Sequence, residues 1–284
     1  MAERIYCAEA AADDPLAGTA VEVDVWLLLE YRPVWKAKAL EEGDLAEPAR
    51  AWMARMLDGF AERGLKARAQ LIRQPEVDRD DVRLLAGIDG ALHMWSGSGY
   101  DFLQSLDLTD PESLSRGEVI SEPQYFVCTN GQRDLCCARF GLPVYNRLRE
   151  VVGERAWQIT HLGGHRFAPN VLALPQSALY GRLQTGDVSD FVGRVDRGEL
   201  GFHWLRGRTT YPKHVQAAEA FSGRNGLRLL HVNGDADKAA VTFSDASERI
   251  HVQVRRDSAP AMVLTSCADD APSEVFAYRQ ADAG

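Results

Sequence analysis

VCTNGQRDLCCARFG, Val127 to Gly141, changes character half-way along. Leading into it is a short apolar run bounded by proline, "PQYFVC", of strand length and β-rich composition. After Asp134 comes "LCCARFGLPVYNRLREVVG", whose apolar positions recur at helical spacing as far as Gly153. Pro143 marks an interruption of that helix, because its ring removes a backbone donor and crowds the preceding turn. Working outward, "AWQITHL" reads as the next strand and "NVLALP" and "ALYGRL" as two more, which gives β-α-β-β-β. The upstream half repeats the plan with "VEVDVWLLLEY", the amphipathic helix "AEPARAWMARMLDGFAERG", then "LKARAQLIRQ", "VRLLAGI" and "ALHMWSG". That order suits a thioredoxin-like sandwich, a central mixed sheet covered by helices. The expected fold class is therefore α/β: two thioredoxin-like α/β units, the N-terminal one degenerate, with a C-terminal helix plus small antiparallel sheet. If the halves arose by duplication, the first lacks the chemistry, since it holds only Cys7 and no cysteine in its strand-to-helix loop.

A chain of 284 residues is long for one core and comfortable for two domains. Net charge is −9, and residues 1–118 hold 13 Lys+Arg against 23 Asp+Glu, so the acidic excess lies in the first half. The charge step and the linker-like "DLTDPESLSRGE" set the expected division. It gives an N-terminal α/β domain over 1–117, a thioredoxin-like domain over 118–207, and a C-terminal part over 208–284. In that last part the helix "YPKHVQAAEAFSG" and the strands "LRLLHVNG", "AAVTFSD" and "RIHVQVRR" complete or cap the second domain. No long basic patch suggests nucleic acid, and apolar runs such as "VWLLL" are too short to span a bilayer. Glu3, Glu9, Asp13 and Asp14 stand where a secretory leader needs a basic start, so the cytoplasm is the expected address. Five cysteines fit a reducing compartment better than a disulfide framework.

Cys128 closes the strand and Cys137 lies in the first turn of the helix, whose free N–H groups favour a thiolate or an anionic metal-sulfur centre. In "THLGGHRFAPN", Thr160 to Asn170, His161 and His165 flank Gly163 and Gly164; the glycines argue for a loop that turns both imidazoles toward one point. No Glu follows His161, so the hydrolytic zinc signature does not apply. Two thiolates and two imidazoles suit tetrahedral zinc or an iron-sulfur cluster. The eight residues between Cys128 and Cys137 form a wider loop than a zinc knuckle and favour iron-sulfur. The plainer alternative is core thiols and satisfied polar histidines.

"CTNGQRDLCCARFG" followed by "HLGGHRFAPNVLALP" resembles the sucrase/ferredoxin-like family, and the likeness extends to "DPLAGTA", "WLLLEYRPVWKAKAL" and "VQVRRD…LTSC". The resemblance implies a thioredoxin-fold ferredoxin whose [2Fe-2S] cluster is held by Cys128, Cys137, His161 and His165. Arg133, Asp134, Ala138, Gly163, Gly164, Ala168 and Asn170 fall on the same pattern. Cys136 is a departure; successive helical side chains diverge by about 100°, so it is expected to face away and pack as a small hydrophobe. Cys7 and Cys267 read as structural or incidental. The sugar-splitting activity in the family's name has no acidic pair here to carry it.

The leading expectation is a one-electron carrier served by redox partner proteins, an unidentified reductase and acceptor, because no nucleotide-binding glycine loop suggests a built-in reductase. Arg133, Arg139 and Arg166 flank the ligands and would screen the cluster or steer an acidic partner. A thiol-redox enzyme using Cys136 and Cys137, and a zinc-stabilised binding module, are the alternatives; adjacent cysteines are poorly placed for an unstrained disulfide.

Overall fold

The structure is a computed structural model that describes residues 5–245 and 247–281. A short helix α1 (Cys7–Ala10) leads to strand β1 (Val25–Glu30), and a long connection carrying α2 (Ala39–Glu42) leads to α3 (Glu47–Glu62). Then come β2 (Ala67–Arg73), β3 (Val82–Ile88) and β4 (Ala91–Gly97). The expected linker holds a short helix, α4 (Pro111–Ser115), because Asp110 accepts from the Glu112 and Ser113 N–H groups and caps it; β5 (Glu118–Val119) follows.

The second unit is β6 (Gln124–Cys128), α5 (Leu135–Val152), β7 (Ala156–Ile159), β8 (Asn170–Leu174) and β9 (Ala178–Gly181). Helix α6 (Val188–Asp196), β10 (Leu205–Arg208) and α7 (Lys213–Ser222) continue it. Helix α5 runs unbroken with Pro143 inside it, a correction to the expected interruption. Its inward face carries Val144, Tyr145, Leu148 and Val152, all buried, and burial of about 2 kcal/mol per large apolar side chain offsets the hydrogen bond that proline removes.

Both units share one topology. Strand β1 pairs parallel with β2 and antiparallel with β3, which pairs with β4; β6 pairs parallel with β7 and antiparallel with β8, which pairs with β9. The second strands then join antiparallel, Ile72 opposite Ile159, so that one ten-stranded sheet runs β10-β9-β8-β6-β7-β2-β1-β3-β4-β5. This is the α/β fold of two thioredoxin-like units anticipated above. The period of two decides which core each side chain enters. Val25, Leu27 and Leu29 meet α3 while Trp26 and Leu28 turn to the opposite face; Tyr125 and Val127 meet α5 and α6 while Phe126 and Cys128 turn to that same opposite face. There the two halves bury a shared core.

The C-terminal part is a four-stranded antiparallel sheet, with β11 (Arg228–Gly234), β12 (Lys238–Ser244), β13 (Arg249–Arg256) and, on the far edge, β16 (Tyr278–Gln280). A hairpin of β14 (Ala261–Val263) and β15 (Ser273–Val275) intervenes in sequence. Helix α7 lies between β10 of the large sheet and β13 of the small one, through Val215 and Ala218 against Val241, Phe243 and Val252. Among the described residues, no helix is long and apolar enough to cross a membrane.

Candidate metal centre

Cys128 is the last residue of β6, and the six residues after it turn the chain into α5. Asp134 starts the helix as its N-cap, its carboxylate accepting from the Cys136 N–H at 2.9 Å. The first turn then lies against the strand end, and the approach is so close that a Cβ at Gly141 would overlap the Cys128 carbonyl oxygen. Cys128 and Cys137 thus face each other, each about 1% exposed, in the core that the two halves share.

The histidines come from the loop after β7. Gly163 and Gly164 both take left-handed conformations, φ +83° and +74°, which fold the loop back on itself. The imidazoles of His161 and His165 end up stacked, ring centroids 4.6 Å apart, and His165 Nδ1 lies 3.4 Å from Cys137 Sγ. The first half helps to hold them: Gln70 Oε1 accepts from the His161 N–H at 3.0 Å, and the Arg68 guanidinium donates to the His161 carbonyl at 3.0 Å. His161 Nδ1 is buried and has no hydrogen-bond partner.

Arg206 braces the loop from beneath. It is 1% exposed and donates to the Gly163 carbonyl at 2.8 Å, Asn170 Oδ1 at 2.7 Å and the Thr19 carbonyl at 2.6 Å, while Asn170 Nδ2 donates to the Gly164 carbonyl at 3.0 Å. Burial pushes the Arg206 guanidinium down to about 9. The hydrogen bond from Cys137 holds the Cys128 thiol well below the usual range, with His161 adding to the effect, and the same contact pushes Cys137 well above it. Cys128 is therefore the readier of the two to form a thiolate. Burial, then the neighbouring His161, lowers His165. A readily formed thiolate at Cys128, buried imidazoles and a helix N-terminus form an environment suited to a metal-sulfur group.

The structure brings Cys128, Cys137, His161 and His165 together. Of the flanking arginines, Arg133 lines a cleft of about 210 Å³ beside His161, with Lys38, Glu41, Gln70 and Thr160. Arg139 stacks over Tyr6 at 4.5 Å, and Arg166 pairs with Asp14 at 3.0 Å. Sequence reasoning missed Arg68, Gln70 and Arg206, which come from other strands and carry no motif. It gave no sign that three further thiols meet. Cys136 does turn away from Cys137, but its sulfur lies 3.5 Å from Cys7 and 3.1 Å from Cys267, which are 3.6 Å from each other. The contact with Cys7 holds Cys136 down at about 7, Cys7 is pushed up by the same contact, and burial pushes Cys267 up to about 11.

Among solved structures, a thioredoxin-like [2Fe-2S] ferredoxin from Aquifex aeolicus is similar at 17% identity over 33% of this chain and 97% of its own, with a TM-score of 0.29. Among curated proteins, altered inheritance of mitochondria protein 32 of Meyerozyma guilliermondii is 31% identical over 83 residues, covering 26% of this chain and 29% of that protein. The chain thus matches less than a third of that relative's length. The sucrase/ferredoxin-like family matches across residues 16–207, more than half of the sequence and all of the centre just described, and the chain belongs to that family.

Proposed function

We propose that the protein is a one-electron carrier whose [2Fe-2S] cluster is held by Cys128, Cys137, His161 and His165. The observation that carries the reading is the meeting of two buried sulfurs with two stacked imidazoles, one of which keeps a buried nitrogen without a partner. An orphaned buried nitrogen costs free energy unless something binds it, so the donor set fits a metal group. These donors also do not converge as a single ion requires: among the described residues, the one group of three or more candidate ligands whose atoms all lie within 4.8 Å of one another is a different one, around Cys136. A dinuclear group suits the wider spread.

When bound, the cluster supplies a site that takes up and releases one electron. The chain's own residues do the rest. Gln70 and Arg68 fix the His161 backbone, Arg206 and Asn170 fix the glycine turn, and the shared core excludes water from the sulfurs. The cleft beside His161 offers a short path to the surface for an electron partner, a separate reductase or acceptor. We assign the cytoplasm as the compartment on the strength of free thiols throughout. A thiol-redox enzyme has less support, because Cys136 and Cys137 contact different partners.

Iron and sulfide analysis of anaerobically purified protein tests the reading. Two irons and two sulfides per chain with visible absorbance are expected, nearly all lost in Cys128→Ser and Cys137→Ser and kept in Cys136→Ser. Colourless, iron-free wild-type protein after anaerobic reconstitution with iron and sulfide overturns it.

A further inference from the structure

Apart from the four donors above, a second group of sulfurs meets at the other side of the α5 start. Cys7 opens α1, Cys136 is the second residue of α5, and Cys267 lies in the loop between β14 and β15, so the group ties both ends of the chain to its middle. The three sulfurs touch pairwise at 3.1–3.6 Å, and with an oxygen of Asp134 all four atoms lie within 4.8 Å of one another.

We propose that Cys7, Cys136, Cys267 and Asp134 form a site for a single divalent metal ion of the zinc class. Donors about 2.3 Å from a tetrahedral zinc stand roughly 3.8 Å apart, so the observed sulfur triangle needs only a slight expansion to accept the ion. Thiolates on separate irons of a cluster stand further apart; three mutually touching sulfurs converge on one ion. A disulfide between any two would strand the third thiol in the same buried place.

Asp134 gives the second, independent observation. It is 4% exposed, and its three hydrogen bonds come from neutral donors: the Cys136 N–H at 2.9 Å, the Ser266 hydroxyl at 2.7 Å and the Cys267 N–H at 2.8 Å. The residues that carry two of the sulfurs also aim the carboxylate, the relation that outer hydrogen bonds bear to ligands in metal sites. Those three donors and the start of α5 hold the carboxylate in its charged form, so an anionic oxygen stands beside the three sulfurs. Three thiolates and a carboxylate select zinc over the hard cations magnesium and calcium. Binding releases to solvent whatever protons the three thiols still hold and consumes nothing else.

The site does not depend on the cluster reading, and adjacent residues separate the two. Full-length protein from zinc-supplemented cells is analysed for zinc and iron together. Wild type is expected to carry about one zinc per chain, matching one four-ligand site. Cys7→Ser and Cys136→Ser should lose most of it while keeping iron, and Cys137→Ser should keep zinc while losing iron. X-ray absorption at the zinc edge of wild-type protein needs no variant, and three sulfurs with one oxygen are expected. Zinc-free wild type, zinc retained in both Cys7→Ser and Cys136→Ser, a different donor set at the zinc edge, or a non-reduced mass short by two hydrogens with no metal overturns the proposal. Loss of iron alone in Cys137→Ser bears only on the cluster.

Discussion

In the first unit the chain leaves β1 at Glu30 and takes residues 31–46 to reach α3; in the second it leaves β6 at Cys128 and reaches α5 through residues 129–134. The short connection delivers a helix N-terminus to a strand end, which is what a thiolate pair needs. The long one folds over the result: Ala37 to Glu41 line the cleft beside His161, and Asn130 Nδ2 donates to the Lys36 carbonyl at 2.9 Å. A parallel contrast holds before the third strands. Residues 160–169 carry the histidines, whereas residues 74–81 carry Gln74 and Arg79. Gln74 donates to the Glu154 and Ala156 carbonyls at 2.7 Å, and Arg79 pairs with the buried Glu30 at 3.7 Å and lies over Trp157. The same two loops thus build a donor set in one unit and its cover and seam in the other. The first unit braces Cys128, Cys137, His161 and His165 although none of the four lies in it.

The largest expected difference lies in the crossover helices. A methyl at Gly141 of α5 would meet a backbone carbonyl, that of Cys128, which cannot move without displacing the end of β6; at Gly59 of α3 it would meet Thr109 Cγ2 at 3.1 Å, a side chain free to yield a little. Gly141→Ala should cost about 3 kcal/mol or more and release iron, as overpacking against fixed backbone does. Gly59→Ala should stay within about 1 kcal/mol of wild type, since helix propensity favours the change. Urea unfolding with iron content measures both. Equal, small effects would mean that α5 is not pressed against the end of β6.

A smaller difference is expected at the left-handed glycines, where conformation is matched and only space differs. Gly164 has φ +74° and Gly90, in the β3–β4 turn, φ +76°; a Cβ at Gly90 meets nothing within 4 Å, while at Gly164 it would run into the Arg206 guanidinium and sit 3.0 Å from Phe167 Cδ2. Gly90→Ala should show only the backbone term, about 1 kcal/mol. Gly164→Ala adds displacement of a wedged buried cation and should cost about 2–3 kcal/mol with a change in the visible spectrum. Matching losses in stability would show that Arg206 yields freely and does not brace the loop.

What the sequence disclosed follows the same division. The strands, both crossover helices and the meeting of Cys128, Cys137, His161 and His165 were legible, because hydrophobic period and Cys/His spacing are local. Pro143 misled because the packing of Val144, Tyr145 and Leu148, which holds the helix through it, is tertiary. The Cys7–Cys136–Cys267 group was invisible for a stronger reason: its members are separated by about half the chain in each direction, and no short spacing announces them. Arg206 was hidden likewise, its partners Thr19, Gly163 and Asn170 lying on three other segments.

The smallest expected effect concerns a histidine of the first unit. His93 on β4 stacks on Trp95 at 5.9 Å, its Nδ1 is buried without a partner, and burial lowers its pKa. Because the folded value lies below the unfolded one near 6.5, the unfolded chain binds more protons in acid. The contribution is therefore complete above about pH 6.5 and is lost as pH falls through the folded value. His165, lowered by burial in the second unit, behaves the same way in metal-free protein, whereas a ligated imidazole does not compete for that proton at its bound nitrogen. Iron-loaded wild type should thus lose more of its urea midpoint between about pH 8 and pH 5.5 than iron-loaded His93→Gln, since only the former still has the His93 imidazole to charge. Removing the metal should flatten both curves by a similar amount, because free His165 can take up its proton in the fold while a ligated imidazole cannot. If the two loaded proteins decline in parallel, His93 titrates freely in the fold and the acid sensitivity of the first unit has another source.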